Sequence, residues 1–403
     1  MRDLSVKSPL DVDFYKWTMA YFIWKNFPDV NVKYEFKNRT KDVTLGHLYK
    51  TVQMELDNIR RYYRYTEEEL EYLESLNIFP EKFLRFLAVV SLPEIHVESA
   101  GAGDGLKIYT EGSWKEAIWW ETMVLSAVNN ICFKDLDVLT GKSHTEIGDK
   151  NLTAKIEEIK KHPHIKFSEF GTRRRFSYDW QRYVTARLQR EVPEQLVGTS
   201  NVLLAKELNL KPVGTMAHEL MMVGSRLFGD TDADIRGSQM KIMDMWFDLY
   251  GEQMSIALTD TFGTKAFFED FGEERARKWL GMRQDSGFPE EFAKNQINFY
   301  SELGIDSKLK LFVPSDGLKL DKIISLTDSF SKDIGTVAGW GTDLTNDCGY
   351  KTLSLVMKAT EANGMGTVKL SDNLNKATGK PEDIERFKRI FGYENTSAQE
   401  TIF

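Results

Sequence analysis

Seven stretches between Lys166 and Asp347 decide the fold: KFSEFGTRR (166–174), QLVGTSN (195–201), KPVGTMAHE (211–219), SIALTDTFG (255–263), KWLGMRQDSG (278–287), KLFVPSDG (310–317) and GTVAGWGTDLTND (335–347). Each runs a short apolar segment into Gly, Ser, Thr, Asp, His or Arg, and longer helical patterns separate them. Strands alternating with helices argue for consecutive βαβ units and a parallel sheet, and seven in succession suggest a closed (β/α) barrel. The polar residues fall at the C-terminal ends of the apolar segments. In a barrel those ends share one mouth, where active sites are built, so residues remote in sequence would converge on one ligand. Gly and Asp are also common wherever strands stop, so seven unrelated loop starts are the competing interpretation.

Outward from that core, the first 130 or so residues are rich in Trp, Tyr and Phe. Phe14, Trp17, Tyr21 and Trp24 recur at helical spacing and predict an aromatic stripe docked on a core, with Asp11, Tyr15 and Phe22 off the stripe. Asn31 to Phe36 and Ile95 to Glu98 read as short strands, so an α/β or α+β first domain is expected. After Asp347, Lys351 to Glu361, a turn at Asn363 and Gly364, and Thr367 to Leu370 resemble a hairpin. A polar tail from Ser371 to Phe403 follows, expected to return to the first domain.

The chain has 403 residues, and at ~150 residues per domain that length suggests two to three folding units. Its net charge of −8 argues against a broad basic surface for nucleic acid or anionic lipid, while leaving room for local basic pockets. The longest apolar stretch, Ala117 to Phe133, is interrupted by Glu121, Asn129 and Asn130, so no membrane span is expected. The start, Met1 to Leu10, lacks the apolar core of a secretory signal. Cys132 and Cys348 match no zinc or redox spacing, and a cytoplasmic location is the simple inference.

Several of the strand-end residues carry chemistry. Phe170 to Phe176 sets Arg173, Arg174 and Arg175 beside an aromatic ring, and guanidinium forks suit phosphate and carboxylate. A solvated basic run is the alternative, and placement at a barrel mouth favours Arg173 alone. Gly198–Asn201 and Gly341–Asp343 hold the ingredients of an oxyanion cradle or of an ordinary helix cap. His218 is the one histidine of six in a strand-end segment, and it could accept a proton or a phosphoryl group. Asp260, Asp285 and Asp316 could bind Mg²⁺, hold ribose hydroxyls or steady a cationic transition state, or could be helix caps.

At these residues the chain resembles the nicotinate phosphoribosyltransferase family. The blocks that carry the resemblance are SPLDVDFYKWTM (8–19), EFGTRRRFSYDWQ (169–181), GTSNVLLAKELNLKPVGTMAHE (198–219), ALTDTFGTKAFFEDFG (257–272), GMRQDSG (281–287), PSDGLKLDK (314–322) and GTDLTND (341–347). The resemblance implies an α/β fold with an irregular, incomplete, TIM-like (β/α) barrel over residues 136–347. It also implies an N-terminal α/β domain over residues 1–135, completed by residues 348–403. It further implies a homodimer with active sites at the subunit interface. Its implied reaction joins nicotinate to phosphoribosyl pyrophosphate, giving nicotinate mononucleotide and pyrophosphate, with coupled ATP hydrolysis and loosely bound Mg²⁺.

By the same resemblance, His218 is the histidine that ATP phosphorylates. Phe170 and the Tyr15 of a partner subunit sandwich the pyridine ring, with Asp13 near them. Arg173 and Arg283 serve the phosphate and pyrophosphate region, and Ser315, Asp316, Gly341 and Thr342 bind ribose and 5′-phosphate. Asp260 and Asp285 lie around the ribose and its metal. Ser200 stands where related nicotinamide enzymes look to have an aspartate, and a hydroxyl there favours a carboxylate substrate. Phe288, Trp340 and Asp343 depart from the family pattern. A nicotinamide or quinolinate transferase is the alternative within the class, and a barrel glycosidase using two strand-end carboxylates is the alternative outside it.

Overall fold

The computed structural model describes residues 4–40, 43–100, 105–141 and 144–394. Among them, twelve strands form three sheets: β1 (Asn31–Asn38), β2 (Ile95–Ala100), β3 (Gly105–Ser113), β4 (Phe167–Glu169), β5 (Leu196–Thr199), β6 (Ile256–Leu258), β7 (Gly281–Gln284), β8 (Leu311–Pro314), β9 (Gly335–Thr336), β10 (Ala338–Trp340), β11 (Leu355–Ala362) and β12 (Met365–Gly366).

The first sheet has the order β12-β11-β1-β3-β2 and is antiparallel. In β1, Val32, Tyr34 and Phe36 are buried while Lys33 and Glu35 alternate with them, the two-residue period of a sheet with one covered face. The hairpin after Asp347 forms as expected. Asn363 and Gly364 both take left-handed backbone angles (φ 47° and 78°), the pairing that a two-residue turn of the right twist requires.

The remaining strands form two parallel sheets, β10-β4-β5 and β6-β7-β8-β9, rather than the closed barrel that the rhythm suggests. The stretch 335–340 joins them: the N–H of Val337 donates to Phe312 (3.1 Å) and that of Ala338 to Lys166 (3.0 Å). Six of the seven strand-end segments contain strands. The seventh, KPVGTMAHE, makes only a single parallel bridge, Thr199 to Pro212. Hydrogen bonds on either side of Pro212 tie it to Thr199, from Thr199 N–H to Lys211 (3.2 Å) and from Val213 N–H to Thr199 (2.9 Å), while proline has no N–H to offer a strand on its other side.

The helix Phe14–Asn26 carries the predicted stripe onto the first domain: Trp17 meets Trp119 at 4.8 Å and Tyr21 meets Phe83 at 5.2 Å between ring centroids. Its other side is buried too. Phe22 packs on Trp246 at 5.5 Å, because the helix lies between the first domain and the helix Asp232–Tyr250. The off-stripe residues Tyr15 and Phe22 therefore face a second partner rather than solvent.

The tail divides. Residues 369–372 run along the loop after β6, with the N–H of Leu370 donating to Thr261 (2.8 Å). The helix Pro381–Ile390 then leaves the first sheet and docks on the other unit, where Phe391 stacks on Phe262 at 4.5 Å and Asp383 pairs with Arg226 at 2.7 Å. Its apolar stripe is filled by that helix layer, so only β11 and β12 return to the first sheet as expected.

Candidate active site

At the C-terminal ends of the parallel strands lies a cavity of about 400 Å³. Its walls carry Tyr15, Phe170, Arg173, His218, Arg283, Asp285, Ser315, Asp316, Gly341 and Thr342, ten of the residues picked from the sequence. Arg173, His218 and Arg283, which come from three separate strand-end segments, thus share one wall system. Nine Lys and Arg residues line it against five carboxylates, a local excess of cations inside a chain whose net charge is −8. A pocket of that sign takes a polyanion.

The loop after β4 is built to aim its side chains. Glu169, fully buried, accepts from the N–H of Gly171 (2.5 Å), from Thr199 Oγ1 (2.5 Å) and from Gln181 Nε2 (3.0 Å). Its carboxyl titrates above its usual range because burial outweighs these donors. Gly171 has no room for a side chain, since a Cβ there would sit 2.0 Å from Thr345 Oγ1. Of the three arginines that follow, Arg173 and Arg174 line the cavity. Arg175 instead is fully buried in a bidentate pair with Asp11 (2.6 and 2.7 Å), tying the N-terminal segment to this loop. The basic run therefore serves two purposes, and Arg174 was not singled out beforehand.

His218 opens the short helix His218–Gly224 and is 4% exposed. Its Nδ1 lies 3.1 Å from Thr261 Oγ1, and its Nε2 lies 2.8 Å from Asp285 Oδ2 and 3.0 Å from Lys369 Nζ. Burial lowers its pKa to about 4 against the pull of Asp260, so the imidazole is neutral at neutral pH. When the proton sits on Nδ1 it is donated to Thr261, and the Nε2 lone pair is left to accept from Lys369. When it sits on Nε2 it is donated to Asp285.

Asp285 is held well below the usual carboxylate range: burial works against it, and the His218 hydrogen bond and the Arg283 charge overcome that. Its other oxygen accepts from Ser315 Oγ at 3.2 Å. Asp316 pairs with Lys376, and burial pushes its carboxyl up. Asp260 does not line the cavity. It is buried behind His218, 3.6 Å from both His218 Nε2 and Lys369 Nζ, and takes a hydrogen bond from Ser286 Oγ at 2.5 Å. His218, Asp260 and Asp285 offer ligand atoms within 4.8 Å of one another. The Lys369 ammonium lies among them, so this trio already has its cation.

Two further expectations change. Ser200 is fully buried outside the cavity wall, and its hydroxyl donates to Asp13 Oδ1 at 2.7 Å. Asp13 is likewise buried, 3.7 Å from Arg173 Nε. Ser200 thus holds Asp13 rather than facing a substrate, because the Asp13–Asn201 bridge draws the two backbones together. Tyr15 reaches the cavity from the same chain, its ring 5.7 Å from the Arg173 guanidinium, so no partner subunit is needed to supply it.

Lys358, Lys369, Lys376 and Arg39 also line the cavity, none of them foreseen. Lys358 lies 3.7 Å from Glu121, and burial brings its pKa down to about 8. Glu121 is held at about 2 by Lys16, Lys358 and Arg173, against its own burial. No local signal points to these residues, because a lysine or arginine in an alternating or polar segment reads as solvent-facing.

A cavity whose wall combines arginines, lysines, hydroxyls and a neutral histidine is the kind of site an enzyme acting on a phosphorylated substrate presents. Comparison with known proteins agrees: residues 165–395 match the nicotinate phosphoribosyltransferase (NAPRTase) family and residues 10–129 match the NAPRTase N-terminal domain. The chain belongs to the nicotinate phosphoribosyltransferase family. It is similar over 96% of its length to nicotinate phosphoribosyltransferase from Vibrio cholerae (31% identity, 94% of that chain, TM-score 0.90). The Porphyromonas gingivalis enzyme is 29% identical over 96% of this chain and 100% of its own, with a TM-score of 0.88. A putative nicotinate phosphoribosyltransferase from Saccharomyces cerevisiae is 31% identical over 98% of this chain and 100% of its own, with a TM-score of 0.86. Family membership sets the glycosidase alternative aside. Among the described residues, no helix is long and apolar enough to cross a membrane.

Proposed function

We propose that the chain transfers phosphoribosyl from phosphoribosyl pyrophosphate to nicotinate, coupled to ATP through phosphorylation of His218, as a step of pyridine nucleotide salvage in the cytoplasm. The observation that carries the ATP coupling is a buried neutral histidine whose Nε2 opens onto a cationic cavity, 3.0 Å from Lys369. With Nδ1–H held by Thr261, the Nε2 lone pair attacks the γ-phosphorus of ATP. The N–P bond forms as the P–O bond to ADP breaks, and no proton has to leave the ring. Lys369 and Arg283 then face the new phosphoryl charge.

In the transfer itself the C1–O bond of the ribose breaks with its electron pair leaving on pyrophosphate, and the pyridine nitrogen supplies the pair for the new C1–N bond. The protein positions the partners and stabilises charge, without a nucleophile of its own. In this scheme Phe170 and Tyr15 flank the ring, and Arg173, Arg174 and Lys358 attract the nicotinate carboxylate and the phosphates. Ser315, Gly341 and Thr342 take the ribose and 5′-phosphate. Asp13 and Ser200 brace Arg173 and Tyr15 from behind, and Asp260 braces His218. Asp285 and Asp316 present the oxygen donors that suit a hard cation, and Mg²⁺ when bound would offset pyrophosphate charge there.

The two parallel sheets are best described as an incomplete barrel over residues 136–347, with residues 1–135 and the β11–β12 hairpin as the other domain. A homodimer belongs to the same proposal, with the ring-stacking tyrosine supplied by each chain to itself.

The test is product analysis of enzyme with phosphoribosyl pyrophosphate, nicotinate and Mg²⁺, with and without ATP, and with nicotinamide or quinolinate replacing nicotinate. Nicotinate mononucleotide formation stimulated by ATP is expected. Absence of that product at saturating substrates rejects the proposal, and equal use of nicotinamide rejects the role of the cationic wall.

A further inference from the structure

Five of the six histidines lie outside the cavity. Among them His47, which faces Asp135, and His144, which faces Asp137, each meet one carboxylate, while His96 stacks on Tyr109. His162 and His164 differ, because they stand together. They flank Pro163 in a turn closed by the N–H of Ile165 donating to the carbonyl of His162 at 3.2 Å. Proline at the second position of such a turn fixes its backbone before any ligand arrives.

Asp328 reaches the same point from the helix Leu320–Phe330, its Oδ1 2.6 Å from His164 Nε2. One ligand atom from each of His162, His164 and Asp328 lies within 4.8 Å of the other two. Glu158 stands beside the group as an outer partner, with Oε1 3.3 Å from His162 Nε2. Its other oxygen is tied to Lys161 at 2.6 Å.

We propose that His162, His164 and Asp328 form a divalent metal site for an ion of the zinc type. Two imidazoles and one carboxylate are the donor set such an ion selects, with water completing a tetrahedron, whereas Mg²⁺ and Ca²⁺ demand all-oxygen shells. Zn–N and Zn–O bonds of about 2.0–2.2 Å place tetrahedral ligand atoms roughly 3.3–3.5 Å apart, so the ion would enter by opening the 2.6 Å His164–Asp328 contact and adjusting His162 to match. The side chains are 26%, 46% and 52% exposed, so they have the freedom to do so. The Glu158 carboxylate orients the His162 ring, the usual service of an outer carboxylate to a metal-bound histidine.

The location gives the ion a structural task. The turn precedes β4, and the helix Leu320–Phe330 precedes β9 and β10. β10 and β4 are adjacent parallel strands whose C-terminal ends carry Gly341 and Phe170 into the cavity. A bound ion would staple the N-terminal approaches of these two strands, at the opposite end from the chemistry. It therefore stabilises the fold without entering the reaction.

The experiment uses the full chain without an affinity tag, stripped with a chelator and titrated with Zn²⁺ against a chromophoric competitor at neutral to slightly basic pH. The parent is expected to take up one equivalent that the His162→Ala/His164→Ala variant lacks, and Zn²⁺ is expected to raise the melting temperature of the parent alone. His218→Asn is expected to keep that equivalent, which separates the site from the cavity. Transferase activity of the double variant is expected to match the parent. The proposal is overturned if parent and double variant bind the same amount of Zn²⁺, if neither binds, or if Zn²⁺ shifts both melting temperatures alike.

Discussion

At the scale of single residues, burial sets the chemistry of His218 and Lys358. Burial takes His218 from an ordinary 6.5 to about 4, so the unfolded chain binds its proton first as the pH falls. His218 accordingly removes stability below about pH 6.5, increasingly so down to about 4, and has no such effect above that window. His218→Asn should flatten the loss of stability across the window, which melts at stepped pH will read. The same variant should lose ATP stimulation while keeping slow transfer, and full stimulation would exclude His218 as the phosphoryl acceptor. For Lys358, brought down to about 8, the charged form holds below that pH and is lost above it. kcat/KM for nicotinate should fall as the pH passes 8, and Lys358→Arg, whose cation does not titrate there, should move that limb upward.

At the scale of elements, the loop from β4 shows how a few fixed contacts aim the site. Gly171→Ala must push Thr345 or the loop itself, displacing Phe170 and Arg173 together. A misplacement of ~1 Å can cost about a hundredfold in rate, so kcat/KM should drop by that order, and the overpacking against buried Thr345 should lower the melting temperature as well. Arg175→Met leaves Asp11 buried without its partner and should destabilise by about 3–5 kcal/mol, since a lone buried charge is costly. Denaturant titration measures it directly. The strand ends were legible because each apolar run stops at a polar residue, and that pattern is local. KPVGTMAHE shared the pattern yet made one bridge, with Pro212 bonded to β5 through its neighbours and without an N–H for a strand on the other side. Ser200 was misjudged as a substrate contact, since nothing local in GTSN says that Asp13 would take its hydroxyl.

For the whole molecule, the cavity is assembled from the strand-end loops, the first helix, the first domain through Arg39 and Glu121, and the returning tail. The lysines at 358, 369 and 376 could not be read from sequence, because each lies in a segment that would be solvent-facing if the chain did not fold back across the site. Tyr15 belongs to the same category, its cavity face set by the helix lying between two layers. With Tyr15 and His218 meeting in one chain, mixing Tyr15→Ala and His218→Asn proteins should restore no ATP-stimulated activity. A mixture that regains a quarter or so of parental activity, the statistical share for randomly paired subunits, would instead mean exchange of the tyrosine between chains.

The order in which these pieces are synthesised has its own consequence. A nascent chain emerging from the ribosome already carries His218, Asp260, Asp285 and Asp316 while Lys358, Lys369 and Lys376 do not yet exist. Up to Asp347 the rim has Arg39, Arg173, Arg174, Arg283 and Lys319 against its five carboxylates, so a premature stop there would leave a wall without the excess of cations that draws polyphosphates.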